Sequence, residues 1–282
     1  MQRLNAGHGR PKSSSYARKL AIAGAGAAAR VPLLKVPLRA AYERYFNRLE
    51  GSSIRLFSGV YPDFAAALRT IPSGRHVGYD NPSSARRNAD ELFRVLPLDY
   101  PVLFWLQRLL PETGLLFDWG GNIGVSYYSF RKHLHYPQNL SWLVCDVPAV
   151  VKEGFATLAR YPAPGLSFTT SLERMQEAEI LLAAGSLHFI DAPFELLRAQ
   201  TRLPNHILLN KVPVYPLESA VTLQNMGTAL LPNHLFNEFD FLNSFLSMGF
   251  TLKDQWETEL GCHIPFHPEH SIRAYKGFYL AR

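Results

Sequence analysis

Only two cysteines occur in 282 residues, Cys145 and Cys262, and neither belongs to a Cys-x-x-Cys pair or any other pair with metal-ligand or redox spacing. That excludes a disulfide scaffold, a zinc ribbon and a dithiol redox motif, and makes a reducing, cytoplasmic compartment the expectation. Long apolar runs are missing too. The longest uncharged one, Leu20 to Ala29, is about half of the ~20 residues that a membrane-spanning helix needs, and its alanine and glycine make a weak core for a cleaved signal. Acidic residues are absent from the start of the chain: Arg3, Arg10, Lys12, Arg18, Lys19, Arg30, Lys35 and Arg39 precede the first acid, Glu43. The rest carries 21 basic against 23 acidic residues, so the formal charge of +6 belongs to an arm. A basic nucleic-acid-binding body is therefore excluded, while the arm suits an acidic membrane surface as a peripheral contact.

What remains is ordinary for a globular protein with room for a buried site, at 47% hydrophobic residues. Residues 1–35 read as a basic, disordered arm. Residues 36–112 read as a mainly helical cap, with apolar side chains at helical spacing in 36–50, 63–70 and 89–110, broken by Pro72, Pro97 and Pro101. From 113 to 282 short apolar runs alternate with helical segments, the pattern of an α/β domain with a parallel sheet. The strands are expected at 115–118, 141–146, 166–170, 179–184, 206–212, 250–257 and 275–281. Helices are expected at about 124–134, 148–160, 171–177, 193–202 and 234–248. No helix separates the last two strands, so they should pair antiparallel. The segment from Tyr215 to Phe236 reads as a long polar loop.

The sharpest motif is LLFDWGGNIG, a buried strand ending in Asp118 and followed by Gly120, Gly121, Asn122 and Gly124 before a helix. Glycines at such a turn let the backbone approach a ligand closely. A dinucleotide fingerprint begun at Gly120 requires glycine where Asn122 and Val125 stand, so it fails twice. The pattern acid-x-Gly-x-Gly-x-Gly is met at Asp118, Gly120 and Gly124, with Asn122 at the middle glycine; asparagine is the substitute best able to adopt a left-handed backbone. Next comes WLVCDVPAVV, whose strand closes on Asp146, an acceptor placed for the two hydroxyls of a ribose.

DWGGNIG followed by CDVPAVV resembles the glycine and Asp-Leu-Pro-x-Val motifs of caffeate-type O-methyltransferases. More of the chain is similar to a methyltransferase family encoded beside bacterial polysaccharide-biosynthesis genes. The shared stretches are GVYPDFAAAL, GYDNP, PVLFWLQRLL, FDWGGNIGVSYY, ILLAAGSLHFI, TLQNMG and the closing HP…YKGFYLAR, together spanning about 55–282. The resemblance implies a class I, Rossmann-like seven-stranded fold with a C-terminal antiparallel hairpin and a helical N-terminal extension. It also implies S-adenosyl-L-methionine as cofactor. Asp118 and Gly120 would face its methionine part, Asp146 its ribose, and Ser171 and Leu172 its adenine, with Gly121, Asn122 and Gly124 completing the cofactor-binding loop.

Methyl transfer is an in-line displacement at a sulfonium, helped by a base when the acceptor is an alcohol. His188 in GSLHFID and His267 in GCHIPFHPEHSI are the candidate bases. Lys211, Tyr215 and Gln224 are the candidate substrate-binding side chains. The histidines around Cys262 match no zinc spacing, and no metal is expected. The leading expectation is O-methylation of a sugar or glycan precursor. An aromatic or other small-molecule acceptor, and a protein that binds the cofactor without turnover, stay open; an apolar cavity favours the former over a sugar.

Overall fold

The structure is a computed structural model that describes residues 32–51 and 55–282; the arm expected at 1–35 lies, as far as residue 31, outside the described residues. Helix α1 (Pro32–Arg48) leads to strand β1 (Leu56–Tyr61) and the short helices α2 (Phe64–Leu68) and α3 (Pro82–Ala85). Each short helix begins on a side chain that accepts from a first-turn amide, Asp63 from Ala66 and Asn81 from Ser84, which satisfies donors the helix itself leaves orphaned. Helix α4 (Tyr100–Leu109) then delivers the chain to β2 (Leu115–Trp119), α5 (Val125–Phe130), β3 (Ser141–Cys145), α6 (Pro148–Arg160) and β4 (Leu166–Thr169). A 3-10 segment, Leu172–Glu177, joins β4 to β5 (Ile180–Ala184), followed by α7 (Pro193–Arg198) and β6 (His206–Val212). Strands β7 (Val214–Tyr215), β8 (Ala220–Asn225) and β9 (Leu230–Asn237) precede α8 (Glu238–Leu246) and the hairpin β10 (Thr251–Thr258) and β11 (Tyr275–Ala281).

The main sheet has the order β10-β11-β6-β5-β2-β3-β4. Strands β6 to β4 run parallel, β11 is antiparallel to β6, and β10 is antiparallel to β11. This is the expected class I methyltransferase arrangement, closing hairpin included. Both faces are covered, which is why the parallel strands are almost continuously apolar. Leu116, Val144, Leu182 and Leu208 pack on one face with Leu106 and Tyr128, whereas Phe117, Leu143, Leu181 and Leu209 pack on the other with Phe241 and Phe245. Each such side chain, fully buried, contributes about 1.5–3 kcal/mol.

A second sheet, β1-β8-β9-β7, was not expected. Strand β1 pairs antiparallel with β8, and β8 with β9. This corrects two readings: residues 36–112 contain a strand, and the polar loop expected after Tyr215 is largely a hairpin whose second strand runs on to Asn237, shortening the helix expected at 234–248. The physical reason is burial of polar side chains. Thr222, Gln224, Asn225 and Asn233 are all fully buried, so the hairpin lacks the alternation that betrays a half-buried strand. They are paired instead: Thr222 Oγ1 donates to the Gly59 carbonyl at 2.8 Å, and Asn233 Nδ2 to Gln224 Oε1 at 2.7 Å. Asn225 Nδ2 donates to the carbonyls of Phe46 and Leu49, closing the end of α1, whose Tyr42 and Phe46 pack on this sheet. Among the described residues no helix is long and apolar enough to cross a membrane.

Candidate functional site

In the main sheet β3 lies on one side of β2 and β5 on the other, so the crevice above their C-terminal ends is the topological switch point. A cavity of about 810 Å³ opens there, lined by Gly120, Gly121, Asn122, Asp146, Leu172 and Lys211 from the main sheet. The second sheet and its neighbours supply the facing wall, with Phe64, Leu68, Met226, Leu231 and Pro232.

The glycine loop turns by alternating left-handed residues, with φ of +74° at Gly120, +55° at Asn122 and +84° at Gly124. Asn122 thus takes the backbone expected of it. Gly120 is required twice over, since a Cβ there would stand 2.3 Å from the Ser186 Cβ. Ser186 in turn donates its hydroxyl to the Trp119 carbonyl, joining the end of β2 to the loop after β5.

Asp146 is the clasp on the other side. Its Oδ2 accepts from the Asn122 amide at 2.9 Å and its Oδ1 from the Val147 amide at 2.8 Å. Burial raises this carboxyl to about 6, against the opposing effect of those two hydrogen bonds. Asp118 behaves differently. It is fully buried beneath the loop rather than in the cavity lining; Oδ2 accepts from Trp142 Nε1 at 3.0 Å, while Oδ1 has no partner. Burial raises it to about 7.

Gly124 and Ser171 lie outside the cavity lining, although Leu172 and its neighbour Thr170 are in it. A Cβ at Gly124 would instead meet Leu166 at 3.0 Å and Phe168 at 3.5 Å.

Neither candidate base reaches the cavity, and no lining residue is a histidine. His188 is 2% exposed, with its ring 4.2 Å from that of Phe189 and 6.0 Å from that of Tyr275, and burial depresses its protonation well below the usual imidazole range. Its neighbour Phe189 takes the place in the wall. His267 sits in the connection between β10 and β11, with Nδ1 3.6 Å from Glu269 Oε1, and burial again lowers it. Of the candidate substrate-binding residues only Lys211 lines the cavity. Tyr215 is buried and donates to the Glu218 carbonyl at 2.6 Å; Gln224 is consumed by Asn233 and by the Met226 sulfur. The reason is common to both: the segment assigned to a polar loop is sheet, and its polar groups face inward.

Sequence reasoning missed Ser186, Asp99 and Phe64. Asp99 faces Lys211 with Nζ 3.0 Å from Oδ1, a pairing across 112 residues that no local pattern announces. Ser186 had a signal, following Gly185 at the end of a buried strand. Among the described residues no group of three His, Cys, Asp or Glu side chains is placed to hold a metal ion.

No protein-family model matches the chain, and no curated protein does. Among solved structures it is similar to a 1,6-didemethyltoxoflavin-N1-methyltransferase from Burkholderia thailandensis with bound 1,6-didemethyltoxoflavin and S-adenosylhomocysteine. There the identity is 16%, the match covers 66% of this chain and 78% of that one, and the TM-score is 0.43. It is also similar to an S-adenosylmethionine-dependent methyltransferase from Aquifex aeolicus, at 12% identity over 71% and 97% of the two chains with a TM-score of 0.46. A third, from Mesorhizobium loti, shares 13% identity over 66% and 98%, with a TM-score of 0.44. At such identities neither ligand nor reaction follows from the likeness, and the chemistry rests on the site's own residues.

Proposed function

We propose that the protein is an S-adenosyl-L-methionine-dependent methyltransferase acting on a small-molecule acceptor with an apolar body. The observation that carries this is the left-handed glycine loop clasped by Asp146 at the switch point of a class I sheet, facing one large cavity. The fit to the cofactor is local. Gly120 and Gly121 leave no room for a Cβ, and both line the cavity, so the bare backbone is what a ligand meets. The Asp146 carboxylate is fixed by two backbone amides and keeps lone pairs for the hydroxyls of a ribose. Thr170 and Leu172 would flank the adenine. Bound there, the cofactor supplies an electrophilic methyl group on a sulfonium.

The acceptor class follows from the opposite wall. A sugar needs several hydrogen-bonding side chains, and the residues expected to provide them, Tyr215 and Gln224, are turned into the second sheet. The cavity wall offers Phe64, Phe189, Ile190, Leu231 and Pro232 to an aromatic or otherwise flat apolar body, beside polar groups that include Tyr79, Asp80, Glu91, Arg94 and Asp191 for its substituents. The role of the chain is to position that molecule against the methyl group and to exclude water.

Calorimetric titration with S-adenosylmethionine and S-adenosylhomocysteine tests the reading, with NAD as control and Asp146→Asn beside the wild type. Micromolar binding of both sulfur ligands, weakened tenfold or more in the variant, is the expected result. Binding of NAD alone, or of none of the three, would overturn it.

A further inference from the structure

Lys211, the last residue but one of β6, is in a left-handed conformation, φ +61°, which a side-chain-bearing residue holds at a cost of about 1–3 kcal/mol. Buried hydrogen bonds hold this conformation. Asn210, 1% exposed, accepts at Oδ1 from the Lys211 amide at 3.1 Å and from Trp256 Nε1 at 3.0 Å, while its Nδ2 donates to the Leu98 carbonyl at 3.0 Å. One buried side chain therefore holds both the backbone of Lys211 and the turn that carries Asp99. Asp99 is fixed in its own right, since Oδ2 accepts from the Leu96 amide at 3.1 Å. Gly185 leaves space for the lysine stem, because a Cβ there would come within 3.2 Å of Lys211 Cδ.

The result is an ammonium held on the cavity wall beside Gly185 and Ser186, where the acceptor must meet the glycine loop. Asp99 occupies one of its three donors. The other charged groups near it are Asp118, buried beneath the loop at the end of β2 with its carboxyl raised to about 7 by burial, and on the wall Asp80, Glu91, Asp146 and Asp191 with Arg94; these carboxylates leave Lys211 and Arg94 as the cations among the lining residues.

Building on the methyltransferase reading above, we infer that Lys211 binds the nucleophilic oxygen of the acceptor as its anion, so that the substrate is an acidic hydroxyl, a phenol or enol, on a flat apolar body. This explains how the site dispenses with a histidine base. The hydroxyl proton is released to solvent as the anion enters. With the cofactor bound, the oxygen would form its bond to the methyl carbon as the carbon–sulfur bond broke, the electron pair being left on sulfur. No proton needs a further acceptor. Lys211 stabilises the charge before transfer.

The test uses 4-nitrophenol, whose anion absorbs visible light and whose neutral form does not, added to the full chain saturated with S-adenosylhomocysteine. The ionisation midpoint of the bound probe is expected at least one unit below that of the free probe, a tenfold or greater preference for the anion. Lys211→Met abolishes the shift while still binding S-adenosylhomocysteine, and Lys211→Arg retains it. An unshifted midpoint in the wild type, an equal shift in Lys211→Met, or no probe binding despite bound S-adenosylhomocysteine would each overturn the assignment of Lys211. Failure of the wild type to bind S-adenosylhomocysteine at all is read separately by calorimetry and removes the methyltransferase reading together with the inference built on it.

Discussion

Replacing Asp118 by asparagine should stabilise the protein above neutral pH. The carboxyl is fully buried, with one oxygen bonded to Trp142 and the other unpartnered. Burial raises it from the ordinary value to about 7; the charge of Asp146 adds to the rise, and the Trp142 hydrogen bond and Lys211 oppose it. In the unfolded chain the same group titrates at about 3.9. Between those values the folded state binds more protons than the unfolded one, so this group's contribution to stability is complete below pH ~4 and is lost as pH rises towards ~7. Three units correspond to about 4 kcal/mol at 1.36 kcal/mol per unit. The amide of Asp118→Asn cannot ionise and keeps an oxygen for Trp142, so it lacks this penalty. Urea unfolding of both proteins from pH 4.5 to pH 8 measures the difference. The gap should shift towards the variant by a few kcal/mol across that range, and because Asp146 is present in both, its own titration largely cancels. Stability curves that run parallel over the whole range would refute the reasoning, since the cost of the buried charge would then be absent.

Other perturbations bear on the loop and on the second sheet. Gly120→Ala combines a φ of +74° with a 2.3 Å clash against Ser186, and should abolish S-adenosylhomocysteine binding in calorimetry while lowering stability by about 2–4 kcal/mol in urea. Asn122→Gly should bind S-adenosylhomocysteine within about threefold of the wild type, whereas Asn122→Val, forced to φ +55°, should bind at least tenfold more weakly; equal affinities would show that the turn carries no strain. Asn225→Ala removes the partners of the Phe46 and Leu49 carbonyls and of the Gly227 amide. A loss of about 2–4 kcal/mol is expected, read by thermal or urea unfolding.

The main sheet was legible because its strands are buried on both sides. LLFDW, SWLVC and ILLAA have no competing periodicity, and the missing helix before YKGFYLA announced the hairpin. The cofactor side was legible for a related reason: glycines and an acid at strand ends are local signals. The acceptor side was not. Strand β1, LFSGVY, contains Gly59 and an irregular register between Ser58 and Tyr61. Strand β8 buries six residues in a row, three of them polar, so neither the period of a strand nor that of a helix shows. His188 looked like a base because it follows a strand at the open end, but the 3-10 turn Leu187–Phe189 sends Phe189 to the cavity and His188 to the interior. Only Lys211 survived among the substrate-facing residues, and its decisive property, a left-handed backbone, leaves no trace in sequence.

The pairing of β1 with β8 also sets the order in which the chain can be completed. Residues 56–61 leave the ribosome before residues 220–225 and wait for them before their hydrogen bonds can form. Until then β8's future neighbour is an unpaired ribbon, and in a protein shortened from the front past residue 61 the converse holds: β8 would present a raw edge of unpaired amides and carbonyls. Such an edge recruits other strands. Trimming the chain to its sheet-forming core would thus yield a species prone to self-association, and any shortened form intended for crystallisation should begin before β1.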